Sequence, residues 1–126
     1  MSKEIISTPN APAAIGPYSQ AVKTGNMVFL SGQIPLIPET MEMIEGGVTE
    51  QAQQVFKNLA AVAEAAGGSL NDAVKVNISL TDLGDFAAVN DVMASVLDEP
   101  YPARACVQVA ALPRGAMVEI EVILAL

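Results

Sequence analysis

Histidine is absent from this 126-residue chain, and Cys106 is its only cysteine. These absences remove the usual zinc and transition-metal ligands and every histidine-based catalytic triad. One thiol cannot build a disulfide framework. The opening stretch, MSKEIISTPN, holds no basic region followed by a long apolar run, so the expected location is cytoplasmic. Positive charge is scarce, with six Lys and Arg against 14 Asp and Glu and a net charge of −8. A nucleic-acid binder needs a basic footprint to neutralise phosphates, so nucleic acid is not an expected partner. No apolar run reaches the roughly 20 residues of a membrane span, which makes a membrane an equally poor partner. Carboxylates, arginine, hydroxyls, backbone groups and water remain for any chemistry.

What is present is apolar content, 52% of residues against 16% charged. That is enough for one packed domain over residues 1–126, a length at which a chain buries most of its unfolded surface. Residues Ser19 to Gly32 alternate around Thr24-Gly25-Asn26 and predict a first hairpin, with NMVFLSG as its second strand. Pro35 and Pro38 interrupt the pattern, and ETMEMIEGG predicts an exposed loop or a short irregular strand. From Thr49, the apolar residues Ala52, Val55, Phe56, Leu59, Ala60, Ala63 and Ala66 recur every three or four positions. They predict a helix capped by Thr49 and ended by Gly67-Gly68.

The run Ala73–Leu80 alternates most clearly, with Val74, Val76, Ile78 and Leu80 on one face and Lys75, Asn77 and Ser79 on the other. A second helix is expected from about Asp82 or Gly84 to Leu97, with Phe86, Val89, Met93, Val96 and Leu97 as its stripe. Two strands, about 104–111 and 117–125, close the chain and are expected to pair as a hairpin through Leu112-Pro113-Arg114-Gly115. Two amphipathic helices and about five strands make an α+β fold, with both helices on one face of a mostly antiparallel or mixed sheet.

The last hairpin contains polar groups that an apolar hairpin does not need. With Val107 opposite Val118, Cys106 faces Glu119 and Arg104 faces Glu121, all turned away from the helices. Met117, Ile123 and Ala125 share that face, and a partly apolar sheet face in a small domain predicts a closed homo-oligomer with clefts at the subunit seams. In such a cleft Arg104 is a candidate carboxylate anchor, since its planar fork binds an acid by two parallel hydrogen bonds. Glu119 is a candidate proton acceptor. Other readings fit the same residues: Arg104 as an edge charge or a structural pair with Glu121, and Glu119 and Glu121 as a solvated strand face. Cys106 reads as a small buried hydrophobe, Ser31 and Tyr18 as turn and packing residues, and Asn90 as a helix-to-loop hydrogen-bonding group.

Five ordered blocks closely resemble the RidA (YjgF-type) family of reactive-intermediate deaminases. They are IGPYSQAV at 15–22, MVFLSGQIP at 27–35, DFAAVN at 85–90, PARACVQVAALPRG at 102–115 and VEIEV at 118–122. The resemblance spans nearly the whole chain and implies a chorismate-mutase-like fold and a homotrimer with three sites between subunits. It also implies hydrolysis of 2-enamine and 2-imino acids, such as 2-iminopropanoate and 2-iminobutanoate, to 2-keto acids and ammonia. In that role Arg104 holds the substrate carboxylate and Glu119 orients or deprotonates water. Cys106 lines the site, Ser31 and Tyr18 form its wall, and Asn90 supports it. No cofactor or metal is needed, because an anchored imino acid already presents its electrophilic carbon to a positioned water. Met93, where the family often has tyrosine, and the proline-rich VLDEPYP segment depart from the family pattern and bear on pocket size. The alternative is a non-catalytic, small-molecule-binding or chaperone-like trimer of the same fold. A ribonuclease, as some relatives are described, fits poorly with the charge and the missing histidine.

Overall fold

A computed structural model describes residues 2–126. Its elements in chain order are β1 (Glu4–Ile6), β2 (Ala21–Thr24), β3 (Met27–Gln33), α1 (Val48–Ala65), β4 (Ala73–Leu80), α2 (Phe86–Val96), β5 (Ala103–Gln108) and β6 (Val118–Ala125). The six strands form one mixed sheet in the order β1-β2-β3-β6-β4-β5, and both helices pack on one side of it in a single α+β domain.

The first hairpin forms as the turn chemistry predicts. Thr24 pairs with Met27, leaving Gly25 and Asn26 as the turn, and Gly25 holds the positive φ of 59° that such a turn needs. The acidic segment after Pro38 is loop, closed by an isolated bridge between Leu36 and Met43 and by local backbone hydrogen bonds such as Ile37 N to the Glu42 carbonyl at 2.8 Å. Helix α1 begins earlier than expected. Its N-cap is Gly47, whose amide donates to Glu50 Oε1 at 2.8 Å, so the Glu50 carboxylate satisfies the first free N–H and Thr49 lies inside the helix. At the other end Gly67 (φ 94°) and Gly68 donate to the Glu64 and Ala63 carbonyls, both at 3.0 Å, the two crossed bonds of a glycine-terminated helix.

Two apolar assignments shift. Val74 is 45% exposed rather than buried, because the β4–β6 ladder slips between Ala73 and Lys75 and turns that side chain out of phase. In α2, Val92 takes the core position expected of Val96. The helix ends at Val96, and Leu97, with extended backbone, is buried in the core as expected.

The closing hairpin does not exist. β5 and β6 are not neighbours; β4 lies between them, pairing parallel with β5 and antiparallel with β6. The physical reason is the helix between β4 and β5. A strand, a covering helix and a second strand form a crossover that returns the chain parallel to where it began. β6 is then free to fill the gap between β3 and β4, where both of its edges are hydrogen-bonded. The core lies between this sheet and the helices, with Val28, Leu30, Val76, Ile78, Leu80, Ile120, Val122 and Leu124 facing Val55, Phe56, Leu59 and Val89.

Candidate functional site

The parallel β4–β5 register determines where Arg104 points. Val76 aligns with Arg104 and Ile78 with Cys106, so both side chains face the helix side, on the edge strand beside α2. Phe86 and Asn90, one helical turn apart on α2, receive the arginine. Its Nη1 donates to Asn90 Oδ1, and its guanidinium lies 4.9 Å from the centre of the Phe86 ring. Arg104 is solvent-exposed but held in place, and among the described residues no carboxylate pairs with it. A guanidinium has five N–H donors, so a fork remains free for an anion. It opens on a cavity of about 540 Å³ lined by Asn90, Met93, Ala94, Tyr101, Pro102 and Arg104.

Glu119 belongs to the other face. It aligns with Ser79, as Glu121 aligns with Asn77, on the side of the sheet that no helix covers. Gly32 makes room for it: a Cβ there would stand 3.0 Å from the Glu119 carboxyl carbon. Burial, and then the neighbouring Glu121 carboxylate, push the Glu119 carboxyl above the ordinary carboxylate range. The glutamate lines a second cavity of about 330 Å³ with Tyr18, Gly32, Leu36, Met41 and Arg114.

Buried amides set the walls of that second cavity. Gln20 Nε2 donates to the carbonyls of Ala11 (3.3 Å) and Pro12 (2.8 Å), while its Oε1 accepts from Thr8 N at 2.7 Å. Ser31 Oγ donates to Ser19 O at 2.6 Å, tying the Tyr18 segment to β3. On α1, Gln54 donates to Asn58 Oδ1 and Asn58 donates to Leu36 O, each at 2.9 Å. Pro12, Tyr18 and Leu36 are thereby held around Glu119.

The candidate residues therefore fall into two groups. Arg104, Asn90 and Cys106 lie on the helix side, and Tyr18 and Glu119 line the second cavity, with Ser31 beside it bonded to the Ser19 carbonyl. The expected facing pairs, Cys106 with Glu119 and Arg104 with Glu121, are not formed, because β4 separates the two strands and turns them to opposite faces. Cys106 packs against the core, and burial raises its thiol more than nearby Arg104 lowers it, leaving a poor nucleophile. Gly32 and Arg114 were not singled out from the sequence. Arg114 in the PRG turn carried a signal only in its neighbour, since Gly115 marks a turn but not the left-handed backbone at Arg114 itself (φ 60°). Among the described residues no cluster of three or more His, Cys, Asp or Glu could hold a metal, and no helix is long and apolar enough to cross a membrane.

The family model for Endoribonuclease L-PSP matches residues 8–126. A Dermatophagoides farinae protein named 2-iminobutanoate/2-iminopropanoate deaminase is 55% identical over 119 residues, covering 94% of this chain and 93% of that one. The RutC family protein y4sK of Sinorhizobium fredii is 54% identical over 123 residues, 98% of each. The crystal structure of RidA from an Antarctic Psychrobacter superposes with a TM-score of 0.94 at 63% identity, covering 98% of this chain and 99% of that one. Escherichia coli TdcF, solved with bound serine, gives a TM-score of 0.93 at 47% identity over 98% of each chain.

Proposed function

The chain belongs to the Endoribonuclease L-PSP (YjgF/RidA) family, and on that basis we propose that it hydrolyses reactive 2-imino and 2-enamine acids to 2-keto acids and ammonia. One observation carries the proposal: a guanidinium tethered by Asn90 and Phe86, unpaired with any carboxylate among the described residues, at the mouth of a cavity. Such a group recognises a small organic acid. The deaminase name of the Dermatophagoides farinae relative and the serine bound to TdcF point to the same substrate size and charge.

The chemistry divides between the two half-sites. Arg104 grips the carboxylate and presents the imine carbon. Glu119 takes a proton from water as the water oxygen bonds to that carbon, giving a tetrahedral carbinolamine. That proton passes to nitrogen, the hydroxyl proton follows it as the C=O bond forms and the C–N bond breaks, and ammonia leaves the 2-keto acid behind. A carboxyl raised by burial suits both halves of this transfer, since its affinity for the proton lies nearer to neutral pH. An enamine enters the same path once its carbon is protonated to the imine.

Arg104 and Glu119 cannot serve one substrate within a single chain when they face opposite sides of the sheet. The proposed unit is therefore a chorismate-mutase-like homotrimer in which Arg104 of one subunit meets the Glu119 cavity of the next. The uncovered sheet face supports this arrangement, since Ile5, Phe29 and Val107 are 54%, 46% and 52% exposed on it. The ribonuclease activity that the family name suggests is disfavoured by a net charge of −8.

The test couples a threonine or serine dehydratase to the purified protein and follows loss of the imine. Arg104→Ala is expected to abolish the acceleration while the oligomer stays intact. Equal rates for the two proteins would instead support the non-catalytic, ligand-binding reading.

A further inference from the structure

Only two arginines occur in the sequence, Arg104 and Arg114; the other cations are Lys3, Lys23, Lys57 and Lys75. Each arginine lines one of the two cavities proposed to form a shared site, and no lysine lines either. In a chain of net charge −8, that concentration of the guanidinium groups asks for a cause.

Arg114 is also held in an unusual backbone. Its φ of 60° and ψ of 19° are left-handed, a region that side chains with a Cβ rarely enter and that marks functional sites when it persists. Among the described residues only one other non-glycine, Met41 at φ 59°, has a positive φ. Met41 lines the same cavity, and its carbonyl accepts a 3.4 Å hydrogen bond from Arg114 Nη1 across 73 positions of sequence. Two strained turns thus meet over Glu119. The bond uses one of five guanidinium donors. No carboxylate pairs with Arg114 among the described residues, and Glu119 lines the same cavity.

We infer that Arg114 is a second anion anchor and that the site accepts short 2-imino dicarboxylic acids, with Arg104 on the carboxylate beside the imine and Arg114 on the distal one. This rests on the reading of Arg104 and Glu119 as one site across a subunit seam. The reaction needs no additional reagent. The water oxygen bonds to the imine carbon, both water protons end on nitrogen by way of Glu119 and the carbinolamine, and ammonia departs from a 2-keto dicarboxylate. The reaction class that supplies such a substrate is two-electron oxidation of the α-amine of an acidic amino acid.

The experiment compares 2-iminosuccinate, made in place from aspartate by an aspartate oxidase, with 2-iminobutanoate made from threonine by a dehydratase. Imine remaining is trapped with semicarbazide. The wild type is expected to accelerate loss of both. Arg114→Gly adopts the left-handed turn without strain, so it removes the cation while keeping the fold. It is expected to lower the ratio of kcat/KM for iminosuccinate over iminobutanoate about 10–100-fold, the loss of one charged hydrogen-bonded contact, and Arg114→Lys is expected to retain part of it. The inference is overturned if the wild type hydrolyses iminobutanoate but not iminosuccinate, or if Arg114→Gly lowers both equally. If Arg104→Ala leaves both reactions unchanged, the underlying deaminase reading fails along with it.

Discussion

Glu121 acts on the proposed chemistry without touching the Glu119 cavity. It lies two positions along β6 on the same face, accepts a 3.2 Å hydrogen bond from Asn77, and is the second cause, after burial, of the raised Glu119 carboxyl. A neighbouring negative charge disfavours a second one, so removing it lowers the Glu119 pKa. If ionised Glu119 is the base, Glu121→Gln is expected to move the acidic limb of the kcat/KM–pH profile to lower pH; an unmoved limb would mean that Glu119 is not the titrating base. At this scale the sequence was informative about residue types. The absence of histidine left arginine and glutamate as the groups able to act on an imino acid, and the EIE pattern placed both glutamates on one face. It could not reveal Gly32, whose missing Cβ matters only because a glutamate on another strand occupies the space.

At the scale of elements, helix α1 does more than cover the sheet. Asn58 is fully buried, accepting from Gln54 and donating to the Leu36 carbonyl, and Leu36 lines the Glu119 cavity. Asn58→Leu keeps the volume but strands that carbonyl and the Gln54 amide away from water. A loss of at least about 1–3 kcal/mol is expected, read as a lower urea midpoint, and an unchanged midpoint would show that the loop does not depend on this bond. Both helices and the first hairpin were legible because their apolar periods and glycine stops are local. The pairing of β5 with β6 was misassigned because adjacency in sequence suggested a hairpin. The signal for the observed answer was present in the strand–helix–strand order from Ala73 to Gln108, which favours a parallel crossover.

At the scale of the whole molecule, the two faces of the sheet decide how many chains a site requires. If each site takes Arg104 from one subunit and Glu119 from its neighbour, an Arg104→Ala chain and a Glu119→Ala chain complement each other in mixed trimers. Random re-assembly of equal amounts gives three mixed trimers in four, each with one intact site in three. Recovery of about one quarter of wild-type activity is expected from two inactive parents. No recovery, with mixed trimers confirmed by mass spectrometry, would place both groups in the same subunit's site.

The sequence alone determined both helices, five of the six strands, the family blocks and the short list of reactive groups, because periodicity, caps and side-chain chemistry are written in neighbouring residues; the short edge strand β1 (Glu4–Ile6) carries too few residues to show a period. Only the tertiary structure decided which strands are neighbours and which side of the sheet each polar group faces. A strand's alternation gives the parity of its side chains but not which of the two sets meets the helices. Inserting β6 between β3 and β4 placed Glu119 on the open side, and the crossover to the edge placed Arg104 on the other.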